Sequence, residues 1–523
     1  MKRQLCTLMF LLAIIPALYA QTANDWVKSA LQKIDNKDYL GAIDDCNKAL
    51  QVDPRYSSAF IDRGLAKHNL GHYDDAIIDF NQAISIDSRS ATAYYDRGIS
   101  KYHLDRNDEA IADYDQAIVL DPKYVNAYYN RAIVKNHLSR YADAIGDYDM
   151  AITLDPKYEF AWCNRGQVKV NWGHDADAIT DLDQAVILDP RDELAYYNRG
   201  NAKRHLSRYA EAISDYDMAI SIDAKYANAY FNRALSKYNL KRYDEAITDY
   251  DQVVALDAKY VNGYYNRALT KYYLGRYADA IADYDMAITL DPKYEFAWCN
   301  RGQAKINLGR YADAITDLDQ SIILDPKDEF AYYNRGDAIY YLGRYADAIP
   351  DFDKALAINP KYSFAYYGRG LARQNLGNYA DAIADFGQVI SLNPKYTYAY
   401  FNRGLAKHNL GNYAEAITDL DMVISLDPKN KDAFNNRGLA KNKLERYAEA
   451  ITDLDQAIAL DPKYTIAYNN RGYAYYKLGN TKENYRKAIA DYDMAVQLGG
   501  STYKPAWTYR GDAVVAMDKA TGQ

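Results

Sequence analysis

The chain holds 523 residues, a formal net charge of −8 and an ordinary apolar content of 49%. That acidic balance argues against nucleic acid or anionic lipid as partners. Tyrosine is the outlier, with 55 Tyr against 12 Phe and 5 Trp.

Residues 1–20 differ from everything that follows. Lys2 and Arg3 form a basic start, Leu5 to Ile15 an apolar stretch, and Pro16 to Ala20 a short end closing on a small residue. This pattern predicts a Sec-type signal peptide cleaved between Ala20 and Gln21, and so an exported protein, periplasmic or secreted. The apolar run is short for a membrane span, and no stretch of the mature chain is apolar enough for one. Cleavage removes two positive charges and takes the net charge from −8 to −10. Three cysteines then remain, Cys46, Cys163 and Cys299, an odd and sparse set that does not make a disulfide framework.

From Ala23 a block of 34 residues repeats through fourteen units, to residue 498. The ruler is the Asp or Asn near the end of each block: Asp53, Asp87, Asp121 and onward to Asn359, Asn393, Asp427 and Asp461, each 34 residues after the last. A strict period of this kind predicts a solenoid of stacked units, each burying its apolar face on its neighbours. With Ala23 as place 1, the unit at 261 predicts a first helix from about Asn262 to Leu274, stopped by Gly275. It predicts a second from Ala278 to Leu290, stopped by Asp291-Pro292. Ala stands at place 20 of every unit, and place 8 is always Gly or Ala, as at Gly64 and Ala132. Place 17 is Tyr in twelve of fourteen units. Small residues of this kind let helix backbones approach closely.

The order aromatic at 4, Gly/Ala at 8, Tyr at 17, Ala at 20, aromatic at 24, Ala at 27 and Pro at 32 resembles the tetratricopeptide repeat. The resemblance implies an all-α fold, a right-handed superhelical solenoid of paired antiparallel helices whose first helices line a concave groove. It also implies binding of peptides or proteins, with no catalysis by the repeats. Two departures stand out. Place 7, usually apolar in that family, is Arg in thirteen units (Arg63, Arg97, Arg131), and place 23 is Asp in all fourteen (Asp79, Asp283, Asp453). An internal ion-pair ladder is the favoured reading, and an Arg stripe gripping an acidic ligand the alternative.

Further along, Trp172-Gly173-His174-Asp175 makes one turn irregular, and Pro350 enters the first turns of a second helix, where it is expected to loosen the start. Thr481 to Asn484 are four extra residues, expected as a longer loop. Residues 499–523 read as one capping helix and a tail. Leu154 to Gln167 recurs residue for residue at Leu290 to Gln303, four units on, as if a four-unit block had been duplicated.

Places 2, 5, 6, 9, 12 and 13 share one side of the first helix. In a tetratricopeptide array that side faces the groove. Place 6 is Asn at Asn130, Asn164, Asn198, Asn232, Asn266, Asn300, Asn334, Asn402, Asn436 and Asn470, with Asp62, Asp96 and Gly368 breaking the series. A carboxamide can bond both halves of a peptide group, and the series resembles the asparagine ladder of the O-linked N-acetylglucosamine transferase superhelix, which holds extended peptides by their backbone. The alternative is that each Asn satisfies its own helix or water. Place 5 is mostly aromatic (Tyr129, Tyr197, Phe231, Tyr265, Tyr333), either gripping peptide side chains, stacking on glycan rings, or packing between repeats. The carboxylate clamp of some co-chaperone relatives needs Lys and Asn at places 5 and 9, which here hold Tyr and Leu or Gln. The seven histidines, among them His103, His137 and His205, are expected to lie too far apart to share a metal. No phosphate-binding glycine loop, metal-ligand spacing or nucleophile-base pair occurs. The sequence thus points to a non-catalytic exported scaffold, without cofactor, that binds extended peptides or proteins. A glycan-binding or envelope-assembly module is the alternative.

Overall fold

The computed structural model describes residues 22–479, 481–499 and 504–521; the leader expected at residues 1–20 lies outside them. Every element among the described residues is an α-helix, 29 in all. They divide into two compact units, Met1–Ala258 and Lys259–Gln523. The first unit runs in antiparallel pairs from Ala23–Asp35 with Tyr39–Val52 to Ala227–Asn239 with Tyr243–Leu256. The second runs from Val261–Tyr273 with Tyr277–Leu290 to Thr465–Leu478 with Lys482–Gly499, and closes on the helix Lys504–Thr521. The fold is the all-helical solenoid of tandem helix-turn-helix repeats that the period predicts.

Local chemistry explains the boundaries. After each of the first thirteen second helices the ruler residue at place 31 leaves helical space, as at Asp121 (φ −131°, ψ 92°), where the side-chain oxygen accepts the N–H two residues on. Lys123 N–H reaches Asp121 Oδ1 at 3.0 Å, and Lys361 N–H reaches Asn359 Oδ1 at the same distance. Asp and Asn are the side chains short enough to make this turn, which is why the ruler tolerates only those two. After each first helix, place 15 takes a left-handed φ. Glycine supplies it at Gly275 (φ 74°) and Gly411 (φ 91°), but Lys37, Asp105, Ser139, Ser207, Lys241 and Glu445 adopt it with side chains, at φ 56–61°.

The core is thin and alanine-rich. Ala42, Ala110, Ala280 and Ala450 at place 20 are fully buried, and so are the large side chains at place 24, such as Tyr216 and Phe352. Place 8 meets place 24 directly: a Cβ added at Gly200 would lie 2.7 Å from the Tyr216 ring, and one at Gly166 2.6 Å from Leu182 Cγ. Neither helix could persist alone at 13–14 residues, so this packing holds each pair together.

Two expectations change at the interruptions. The four residues from Thr481 do not form a longer loop. Thr481 Oγ1 caps the N–H of Asn484 at 3.2 Å, and the second helix gains an N-terminal turn, making Lys482–Gly499 18 residues long. Pro350 lies within the unbroken helix Tyr345–Ile358. The Trp172 turn keeps the ordinary geometry, with Gly173 at φ 83° and the next helix starting at Asp175.

Candidate functional site

The Arg and Asp series resolve first, because they determine which charges are left for a ligand. Arg233 donates through Nε and Nη2 to Asp249 at 2.9 and 2.6 Å, and through Nη1 to Asp217 of the preceding repeat at 2.6 Å. Lys237 Nζ joins the same Asp249 at 2.7 Å, and the guanidinium lies 5.2 Å over Tyr230 at place 4. The arrangement recurs at Arg97, Arg301 and Arg437, each with its place-23 Asp and a place-25 acceptor. Burial opposes the charge on Arg233, but its bonds to Asp249 and Asp217 outweigh that and hold its pKa above the ordinary value. These guanidiniums are engaged inside the array, not offered to an acidic ligand.

The asparagine ladder is also partly engaged. Asn130 Nδ2 donates to the Tyr95 hydroxyl at 2.7 Å, Asn164 to Tyr129 at 2.7 Å, and Asn232 to Tyr197 at 3.0 Å. In the second unit Asn300 donates to Tyr265 at 2.9 Å and Asn402 to Tyr367 at 2.9 Å. Each bond links place 6 to place 5 of the preceding repeat. Where place 5 carries no hydroxyl, the amide turns elsewhere. Asn266 bonds the Asn262 carbonyl at 2.8 Å, and Asn334 lies 3.7 Å from the Cys299 sulfur. Asn198 is buried against Cys163. Among the described residues, no donor reaches Oδ1 of Asn130, Asn164, Asn232, Asn300 or Asn402, so the ladder retains an acceptor at these positions.

The place-5 aromatics pack within their own repeats, and Tyr129, Tyr197 and Tyr265 also reach the next repeat through the ladder bonds to Asn164, Asn232 and Asn300. Tyr129 packs against Tyr148 and Tyr158 with ring centroids at 5.8 and 4.9 Å, and Tyr197 against Tyr216 and Tyr226 at 6.1 and 4.8 Å. Phe231 meets Tyr250 at 5.8 Å, Tyr265 meets Tyr294 at 4.9 Å, and Tyr333 meets Tyr362 at 5.2 Å. All five are half-buried. Gly368, the gap in the ladder, has a steric cause: a Cβ there would stand 2.8 Å from the Phe352 ring.

Exposed aromatics also recur at place 2, which sequence reasoning put on the same face without singling out. In the second unit Phe296, Phe330, Phe364 and Tyr398 occupy four successive repeats at 53, 53, 51 and 67% exposure. Their 34-residue spacing was visible, but the same place holds residues as varied as Asn24, Ser58, Thr92, Phe160, Leu194 and Asp432 elsewhere, which hid the run. At its end lies a pocket of about 400 Å³ lined by Tyr398, Phe401, Asn402, Asp427, Asn430 and Asp432. There a ladder amide, a place-5 ring and a place-2 ring meet in one site. The histidine expectation needs correction: His68 and His103, from adjacent repeats, stack edge to face at 5.2 Å. No group of three or more metal-ligating side chains occurs among the described residues.

Tetratricopeptide repeat models match residues 57–90, 100–135, 194–294, 299–363, 367–431 and 441–479, which is most of the array. The chain belongs to the tetratricopeptide repeat family. A model of anaphase-promoting complex subunit 5 also matches residues 123–190. No curated protein matches the chain. Among solved structures it is similar to YrrB, described as a TPR protein with an unusual peptide-binding site. The identity there is 26% over 35% of this chain and 95% of that one, with a TM-score of 0.33. It is similar to a chain of the APC/C hetero-tetramer Cut9–Hcn1 at 16% identity over 96 and 98% of the two chains (TM-score 0.37). It is also similar to a tetratricopeptide repeat protein from Parabacteroides merdae at 20% identity over 49 and 98% (TM-score 0.36). Tetratricopeptide arrays are in general non-catalytic scaffolds for protein–protein interaction, and this chain is a tetratricopeptide repeat array. None of these matches supports the glycan alternative. No helix among the described residues is long and apolar enough to cross a membrane.

Proposed function

We propose that this protein is an exported, non-catalytic scaffold that holds extended segments of other proteins along the exposed face of its first helices. The carrying observation is the pocket at Tyr398, Phe401 and Asn402. Asn402 Nδ2 is occupied by the Tyr367 hydroxyl and the Tyr398 carbonyl, which leaves Oδ1 to accept a peptide N–H. Tyr398 supplies a broad ring for the adjoining side chain at little entropy cost. Upstream, Phe296, Phe330 and Phe364 repeat that ring once per unit, which favours an elongated ligand over a small molecule. Export rests on the basic, apolar and small-residue pattern of residues 1–20.

A random peptide library panned against the full chain and against Tyr398→Ala/Asn402→Ala tests the binding face. Both positions are on the surface of intact helices, so the variant keeps the wild-type circular dichroism. It should lose most of the captured sequences; an unchanged set would remove the site from the account. N-terminal sequencing of protein from the extracytoplasmic fraction tests export, with Gln21 as the expected first residue.

A further inference from the structure

The first three repeats break the ladder in a directed way. Place 6 there is Lys28, Asp62 and Asp96 before the Asn series starts at Asn130. The place-5 residues that precede the two aspartates are Val27 and Ile61, so the hydroxyl that receives the amide in later repeats is missing as well. Asp62 is only 7% exposed, and its Oδ2 is buried with no hydrogen-bond partner. It lines an open pocket of about 420 Å³, with Lys28, Tyr56 and Thr92 on the same wall. Asp96 lines a second pocket of about 190 Å³ one repeat on, beside His68 and Phe80. Among the described residues no salt bridge joins Lys28 to either aspartate. This differs from the place-23 aspartates, where Asp79 is held by both Arg63 and Lys67 at 2.6 and 2.7 Å. A buried carboxylate oxygen without a partner is costly, and the fold retains one here, in a side chain that lines an open pocket.

We infer that Asp62 and Asp96 form a subsite for cationic side chains, which captures lysine or arginine residues of the bound polypeptide. The inference rests on the peptide-binding reading of the array and names the chemistry its N-terminal end selects. First helices of successive repeats lie roughly 10 Å apart, and an extended chain advances about 3.3 Å per residue. Basic residues spaced about three apart therefore reach both carboxylates. Burial pushes Asp62 up to about 7, and burial together with Asp62 pushes Asp96 to about 7. The other titratable groups facing the pair are Lys28, Cys46, Tyr56, His68, Tyr95, Tyr114 and Tyr124. His68 is itself held neutral, its pKa lowered to about 4 by burial and by His103. The cation binds the ionised carboxylates, so capture strengthens from pH 6 to pH 8.

The test uses the full chain and Asp62→Asn/Asp96→Asn, which restores the residue that most other repeats carry and so preserves folding. The probe is a labelled Gly/Ser peptide with lysine at every third position, compared with its norleucine counterpart by fluorescence anisotropy at pH 8. The wild type should prefer the lysine peptide at least tenfold, and the double variant should lose that preference. Equal lysine binding by both proteins, or no preference by the wild type, overturns the subsite. Displacement of the peptide by equimolar N-acetyl-lysine amide would likewise overturn its assignment to a polypeptide. Panning the double variant against the random library separates the two claims. Capture that depends on Tyr398 and Asn402 persists if only the subsite is wrong, and is absent from wild type and variant alike if the scaffold reading fails.

Discussion

Removing the carboxylate of Asp249 tests the claim that the recurrent charges hold the array together. Asp249 is 2% exposed and receives three charged N–H donors, two from Arg233 and one from Lys237, at 2.6–2.9 Å. Asp249→Ala leaves both cations in place with 15 and 12% of their side chains in water. Arg233 keeps Asp217 and the Tyr230 ring, so the damage concentrates on Lys237 and on Nε and Nη2. Breaking a buried pair from one side costs about 3–5 kcal/mol, and the remaining contacts place this case near the lower end. Solenoids do not unfold as one block, so the readout is local. Hydrogen exchange should show amides of helices Ala227–Asn239 and Tyr243–Leu256 losing roughly 3 kcal/mol of protection, with little change four repeats away. Replacing all three partners, as Arg233→Met/Lys237→Leu/Asp249→Leu, should recover most of it, because no charge is then stranded. A loss below about 1 kcal/mol in Asp249→Ala, or one spread evenly along the chain, would refute the reasoning.

Three further outcomes follow from single features. Glu445→Gly should raise thermal stability by about 1 kcal/mol, since a non-glycine residue is strained at φ 60°, and Gly275→Ala should lower it by a similar amount. Native protein should resist iodoacetamide at pH 8 and react fully in denaturant, because burial, foremost, pushes the Cys46 and Cys299 thiols up to about 12 and Cys163 higher still. Burial pushes Asp62 up to about 7, against 3.8 for an ordinary aspartate, so the native state holds the proton more tightly between those values. Its contribution to stability is present below about pH 4 and lost as pH rises through 7. Asp62→Asn should therefore stabilise the chain in urea at pH 8 and change little at pH 4.

The fold was legible because every repeat repeats the same physical demands. The Asx turn at Asp121, the close approach of Gly200 to Tyr216 and the clamp on Asp249 each leave a residue at a fixed place, and the period adds their signals. The inserted turn after Thr481 was not legible, since four residues read equally as a loop or as one more turn until Thr481 is seen capping Asn484. The site was legible only as a face. Helical spacing grouped places 2, 5 and 6, but it could not show that Tyr129 and Tyr197 join repeats while Phe296 to Tyr398 lie open. Nor could it show that a Tyr hydroxyl occupies the Asn130 amide. Those distinctions depend on neighbours one repeat away, about 34 residues along the chain.

The central claim is that the partner lies along the exposed ladder face and is a polypeptide. Photo-crosslinking in the native compartment addresses it most directly, with p-benzoylphenylalanine placed at position 398 or at Ile323, a 71% exposed residue on a second helix three repeats earlier. The account predicts discrete protein adducts from position 398 and none above background from 323. Adducts from 323 alone, or equal yields from both, would contradict it.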